Sequence, residues 1–577
     1  MTKGRLRSSN WFNRKDEMGV RHRSSLLSLG HNINQKNKKP IIGICNPYSE
    51  FNNCEMAFRN LIPVIKRGIT AAGGIPIEFS TMSLGAELLK PADMLYRNLV
   101  SMEIEETIRG YPIDGIILLC NCDKTTPAQL MACASANIPS IQFSGGHKSL
   151  GVFQGEKLSS GTDFWKYWDE YRKGQLNEEE WNELQNSLSC SFGACNEMGT
   201  TSTMTALSEV LGMMPLGSST LPANDSRRMI VAENLGHYIL HMIKQNLRPR
   251  DILTKNIFFN AIRILAALGG STNAIIHLTA IAGRCGIKLE LKKFDEIFSS
   301  IPLLANVKPS GDYIIEDFHN AGGIPNLLYQ LKNFLDDDCI NHTGKKFYSL
   351  LKHKKFISND VIRNSANPVK KGGALIALFG NLVPKGAILK VSAASNHLLN
   401  HEGNAFVFED YEDMLKKIDN TDLNVNENDI LVMKNCGPRG VPGMPEWGQI
   451  PIPKKLLDRN ITDIVRISDA RMSGTSFGTV ILHSTPESAF GGPLSIVQNG
   501  DKIKLDVSKK QLNILLPDEE IKNRLSNFKK NQSCHLRGYP KLYIDHVLQA
   551  DEGCDFDFLL PDDPNKETLI EPIVGKS

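Results

Sequence analysis

The chain has 577 residues, 41% of them hydrophobic and 22% charged, with 66 basic against 63 acidic side chains. The hydrophobic fraction excludes a disordered chain, and a net charge of +3 excludes a dedicated nucleic-acid binder. Twelve cysteines are too few to make a chain of this length a disulfide scaffold.

The first 25 residues are polar and basic and lack an apolar run, so no secretory leader is expected. The longest apolar run, at 115–120, suits a buried strand and falls far short of the roughly 18 residues that span a bilayer. The expected compartment is a reducing cytoplasm, with no membrane or nucleic-acid partner. Thiols there stay free, bind metal or do chemistry.

In chain order, PIIGICN (40–46) reads as a buried strand, and 54–72 as a helix closed by Gly73-Gly74. A strand is predicted at 75–79, and a helix opened by Pro91 runs to about Arg109. A strand at 113–120, a helix at 126–137 and a strand at 140–144 complete a β-α-β-α-β-α-β alternation. That order predicts an α/β/α domain with a largely parallel sheet. A charged helical insert (162–187) and Ala-rich helices (261–282) follow. The polar Pro/Gly segment NSANPVKKGG (364–373) reads as a linker. Beyond it, short strands are predicted at 374–379, 387–391, 405–408, 430–433, 464–467 and 479–483. Residues 495–516 read as an alternating hairpin with Asn499-Gly500 in one turn. The expectation is a first domain over 1–368 and a β-barrel-like domain over 369–577.

Three segments carry candidate chemistry: NPYSEFNNC ending at Cys54, CNCDKTTP (120–127) and SFGACNEMGTTSTM (191–204). Each puts a cysteine at a loop-to-helix junction, the first two directly after a strand, where thiolates and anions are favoured. Spacing alone does not join Cys54, Cys122 and Cys195. The ordinary reading of any one cysteine is a small buried hydrophobe. Neither HExxH, CxxC, GxGxxG nor a Walker A motif occurs, which weakens a zinc hydrolase, a thiol redox enzyme and a nucleotide-binding module. A metal- or nucleotide-binding regulatory protein is the non-enzyme alternative.

CDKTTP, CNEMGTTSTM, GGSTNA (269–274), GPRGVPGMPE (437–446) and ISDARMSGTSFGTVILHSTPESAFGGP (467–493) together resemble the dihydroxy-acid and sugar-acid (aldonate, 6-phosphogluconate) dehydratase family. The resemblance runs from about residue 6 to about residue 560. The ends, LRSSNWF (6–12) and YIDHVLQADEGCDFDFLL (543–560), resemble the pentonate (arabinonate and xylonate) branch more than the branched-chain biosynthetic one.

The resemblance implies a hydro-lyase, often a homodimer or homotetramer, acting on a small hydroxy acid. A 2,3-dihydroxy carboxylate would become the 2-oxo-3-deoxy acid; the alternative substrate is 2,3-dihydroxyisovalerate. It implies an iron–sulfur cluster, [2Fe–2S] over [4Fe–4S], held by Cys54, Cys122 and Cys195, with nine cysteines as bystanders. It implies Mg2+ at Asp123, Lys124 and Glu446, the lysine at this position being one that carbamylation can turn into a carboxylate ligand. Taken alone, Lys124 reads as an anion-binding ammonium at a helix start. Sugar-acid relatives carry Glu directly after Ser-Leu-Gly, where this chain has Ala86; Glu87, one residue on, is the candidate replacement. Asn121 stands where Gly is usual, and Cys190 where Arg is common. The implied base is Ser473, with Thr475 as its orienting partner; the plain reading of Ser473 is a turn cap. Arg471 suits a carboxylate partner that nothing local identifies.

Overall fold

The computed structural model describes residues 5–36, 38–351, 355–529, 537–563 and 571–576. Four parallel strands form the first sheet: β1 (Ile41–Asn46), β2 (Ile75–Ser80), β3 (Gly115–Cys120) and β4 (Ser140–Ser144), in the order β2-β1-β3-β4. Every residue of β1, β3 and β4 is buried, as near-continuous apolar runs require of a sheet covered on both faces. Helices Phe58–Ala71 and Ser226–Gln245 pack together, as do Arg97–Gly110 and Thr125–Ala136. The first pair crosses at two glycines. A Cβ added at Gly68 would lie 2.0 Å from the Glu233 carbonyl oxygen, and one at Gly236 would lie 2.3 Å from Gly68.

A small hairpin, β5 (Gly151–Phe153) and β6 (Glu156–Leu158), precedes the charged insert. The insert is two helices, Thr162–Arg172 and Glu178–Leu188, rather than one, because Asn177 caps the second through a capping box with Glu180.

The second sheet has eight strands: β7 (Ile376–Leu378), β8 (Gly386–Leu389), β9 (Asn400–Phe408), β10 (Ile430–Met433), β11 (Val465–Ser468), β12 (Val480–Thr485), β13 (Lys502–Asp506) and β14 (Gln511–Ile514). Their order is β14-β13-β9-β10-β11-β12-β8-β7, and Phe379 bridges Gln511, so the two edges meet in a nearly closed barrel. Leu389, Val432, Ile467, Ile481 and Leu505 belong to its apolar core.

Three local expectations shift. The 91–109 helix begins as a 3-10 turn at Asp93–Tyr96 and becomes α-helical at Arg97. The 54–72 helix likewise begins as a 3-10 turn, where the Asn52 side chain accepts from the Cys54 amide at 3.2 Å. Asn499-Gly500 lies before β13, and the hairpin itself turns at 507–510. The 364–373 segment packs on the first domain, with Lys370 bridging Leu303. Among the described residues, no helix is long and apolar enough to cross a membrane.

Candidate active site

Three loops at the carboxyl ends of strands or before helices carry the cysteines. Cys54 lies in the 3-10 turn that follows β1. Cys122 lies between β3 and helix Thr125–Ala136, and Cys195 precedes helix Thr200–Val210. Cys122 is buried; Cys54 and Cys195 are half-buried. The Cys54 and Cys122 thiols are within hydrogen-bonding reach of each other, and Cys195 acts on Cys54 through its charge. The bond with Cys122 favours the Cys54 thiolate, but burial and nearby negative charge outweigh it and hold the thiol above its ordinary range. The same bond and burial push Cys122 far up, and burial does so at Cys195. Of the other cysteines, 45, 120, 133, 285, 339, 436 and 554 are buried and 190 is exposed; Cys534 lies outside the described residues.

Asn121, a departure at the sequence level, ties these loops together. Its side-chain amide donates to the carbonyls of Cys54 and Gly146, each at 2.7 Å, and its Oδ1 accepts from the Gly146 amide at 2.9 Å. Gly146 O in turn accepts from the Ala194 amide at 2.9 Å, beside Cys195. A glycine at 121 has no side chain to make the first three bonds.

Next to the thiols, the wholly buried Lys124 gathers three carboxylates. Its Nζ lies 3.4 Å from Asp123 Oδ2, 3.5 Å from Asp93 Oδ1 and 3.6 Å from Glu446 Oε1. Burial disfavours the Lys124 charge, but Asp93, Asp123 and Glu446 outweigh burial and the opposing Arg471, so the ammonium is held on. Thr201 Oγ1 donates to Asp123 Oδ1 at 2.6 Å. Arg471 donates to Glu446 Oε1 at 2.8 Å and to Met444 O at 2.7 Å, which supplies the partner the sequence left open. Asp93 was not foreseen. Its place two residues after Pro91 marks it only as an acid at a helix start, yet it is buried with Oδ2 unpartnered. Glu87 is exposed and its charge reaches Cys195, while Ala86 is half-buried.

Ser473 sits in the loop after β11, half-buried, with its Oγ 2.9 Å from Thr475 Oγ1 and accepting from the Thr475 amide at 3.3 Å. The insert pins this loop, since Thr162 Oγ1 donates to Thr475 O at 2.9 Å. A Cβ added at Gly474 would lie 2.7 Å from the Thr200 amide nitrogen, so only glycine lets the serine loop meet that helix start. Asn273, in GGSTNA, crosses the seam. Its Nδ2 donates to Thr200 Oγ1 at 3.0 Å, Glu446 Oε1 at 2.7 Å and Met472 O at 3.1 Å.

Two further buried carboxyls flank the cysteines. Burial raises Glu55 to about 8 and leaves its Oε2 unpartnered. Burial raises Glu197 to about 7, against the opposing charge of Lys148. Their adjacency to Cys54 and Cys195 was the available signal. Among the described residues, no three His, Cys, Asp or Glu side chains are grouped closely enough to hold a metal ion as they stand. The cation among the three carboxylates is the Lys124 ammonium itself.

The chain matches two family models, the dihydroxy-acid/6-phosphogluconate dehydratase N-terminal domain over residues 39–349 and its C-terminal domain over 360–554. It is 44% identical to the L-arabinonate dehydratase of Rhizobium leguminosarum bv. trifolii over 557 residues, 96% of each chain. It is also 44% identical to the L-arabonate dehydratase of Azospirillum brasilense over 568 residues, 97% of each. Identity to the dihydroxy-acid dehydratase of Caldanaerobacter subterraneus is 35% over 544 residues, 93% of this chain and 97% of that one. With both domains matched and relatives aligned nearly end to end, the chain belongs to the dihydroxy-acid/6-phosphogluconate dehydratase family and is a dehydratase, a hydro-lyase.

Proposed function

We propose that the chain dehydrates a sugar acid of the aldonate class, a 2,3-dihydroxy carboxylate, to its 2-oxo-3-deoxy acid. The observation that carries this reading is the meeting of Ser473 and Glu446 with Asp123, Lys124 and the three cysteine loops at one seam between the domains. The higher identity to arabinonate dehydratases than to the dihydroxy-acid dehydratase supports an aldonate over 2,3-dihydroxyisovalerate.

The donor chemistry fits two metal groups side by side. Cys54, Cys122 and Cys195 offer soft sulfur for an iron–sulfur cluster, [2Fe–2S] in preference to [4Fe–4S]. Asp93, Asp123, Glu446 and a carbamylated Lys124 offer hard oxygen for Mg2+, with Glu87 as a further candidate ligand. The orphaned Asp93 Oδ2 is one oxygen that awaits such a partner. Carbamylation exchanges the central ammonium for a carboxylate, which makes room for a cation among the acids. When bound, these groups supply Lewis acidity toward the substrate's carboxylate and hydroxyls and lower the pKa of a nearby hydroxyl.

The chain's own residues do the rest. Ser473 Oγ receives the C2 proton, with Thr475 Oγ1 holding the hydroxyl in line. The C3 hydroxyl departs with a proton as water, and the resulting enol tautomerises to the 2-oxo acid. Arg471 and Asn273 hold Glu446 at the same oxygen, and Thr201 holds Asp123, so the carboxylates are oriented before substrate arrives.

The test is release of 2-oxo acid from a panel of arabinonate, xylonate, gluconate and 2,3-dihydroxyisovalerate. Turnover of one or more aldonates is expected. Turnover of 2,3-dihydroxyisovalerate alone would move the chain to the biosynthetic reaction.

A further inference from the structure

The segment after β4, Gly145 to Lys148, is stitched to all three cysteine loops. Asn121 beside Cys122 and the Cys54 carbonyl meet through the Asn121 amide, which also binds Gly146. On the other side, the Lys148 amide donates to Ala194 O at 2.8 Å, next to Cys195. This backbone pairing seats residue 148 beside the Cys195 loop. Lys148 is 7% exposed. Its Nζ donates to Ser189 Oγ at 3.2 Å, one acceptor among the described residues for three donors. Its ammonium lies within electrostatic reach of Cys54, Cys195 and Glu197.

Burying an ammonium is unfavourable unless negative charge lies near it. As the chain stands, that charge is weakly supplied: among the described residues the Lys148 ammonium has Ser189 Oγ as its acceptor and no carboxylate as an ion-pair partner. Thiols that bind iron do so as thiolates, which changes the balance.

We propose that Lys148 is a positioning residue for the iron–sulfur group, offsetting the negative charge that Cys54, Cys122 and Cys195 acquire as ligands. It thereby helps set how firmly the cluster is held and at what potential. This inference rests on the iron–sulfur reading above. Partners just outside a metal's ligands change affinity by about 10–100-fold, and net charge and hydrogen bonds near the sulfurs set the potential of a cluster.

The experiment compares wild type, Lys148→Met and Lys148→Arg after anaerobic reconstitution with iron and sulfide. Three quantities are read: iron per chain, rate of iron loss to a chelator, and midpoint potential. Lys148→Met is expected to lose iron about 10-fold faster and to show a lower midpoint potential, because the charge that favours the reduced state is gone. Lys148→Arg is expected to restore both. Lys148→Gln carries the same expectation as Lys148→Met if the latter does not fold. A variant that keeps wild-type iron retention and potential, even with a lowered melting temperature, assigns Lys148 to packing and overturns the inference. A wild-type chain that takes up no iron overturns the iron–sulfur reading itself, and this inference with it.

Discussion

Asn273 Nδ2 lies 2.7 Å from Glu446 Oε1, so the start of a first-domain helix holds a carboxylate of the second domain. The same nitrogen reaches Met472 O, one residue before Ser473. Asn273→Ala removes the donor and leaves these acceptors to find others. We expect a loss of about 1–3 kcal/mol in stability, typical of an orphaned buried polar group. We also expect a fall in kcat/KM larger than that of a comparable change far from the seam. Thermal unfolding and steady-state kinetics check both, and unchanged kinetics would show that Glu446 is positioned by Arg471 alone.

Ser473→Ala is expected to lower turnover by about 10²–10⁴-fold, the usual contribution of a general base. Iron content and visible absorbance should match wild type, because Ser473 bonds to Thr475 and not to a cysteine loop. Thr475→Val should cost less, since it removes the orienting hydroxyl and keeps the base. Retained activity in Ser473→Ala would assign the proton to another residue.

Asn121→Ala breaks three side-chain bonds that join the Cys54 and Cys122 loops to Gly146, the backbone partner of the Cys195 loop. A destabilisation of about 1–3 kcal/mol is expected, together with less iron per chain after reconstitution. Full iron uptake at an unchanged melting temperature would mean that the backbone bonds suffice.

Glu487 gives a pH dependence outside the three cysteine loops. Its carboxylate accepts from the amides of Arg439 and Gly440, yet burial, with Asp469, raises it from 4.5 to about 7. The folded chain therefore binds this proton more tightly than the unfolded chain. The contribution is fully present below about pH 4.5 and is lost as pH rises through about 7, by about 3 kcal/mol in total. Melting temperatures of wild type and Glu487→Gln between pH 5 and 8 should diverge, the variant lacking this part of the decline. Parallel profiles would place the pH dependence elsewhere.

The alternation of strands and helices through residue 144 was legible because buried parallel strands leave near-continuous apolar runs. The barrel was legible as a series of short strands, but not its closure. That depends on Phe379 meeting Gln511, a long-range bridge without local periodicity. The turn at Asn499-Gly500 was legible, but a turn dipeptide marks a bend without saying which strands it joins. Asp93 stayed invisible for a related reason: an acid at a helix start is ordinary until the fold buries it against Lys124.

By itself, then, the sequence determined the two kinds of sheet, the cysteines at loop-to-helix junctions, and the motifs that resemble one dehydratase family. These are local properties, written in side-chain periodicity and in short runs of residues. Only the tertiary structure decided that Asn121 laces the cysteine loops, that Arg471 and Asn273 share Glu446, and that Lys148 is buried with its backbone paired to the Cys195 loop. Such pairings join residues up to 173 positions apart. They arise when burial removes water as a competing partner and each polar group must find another within reach.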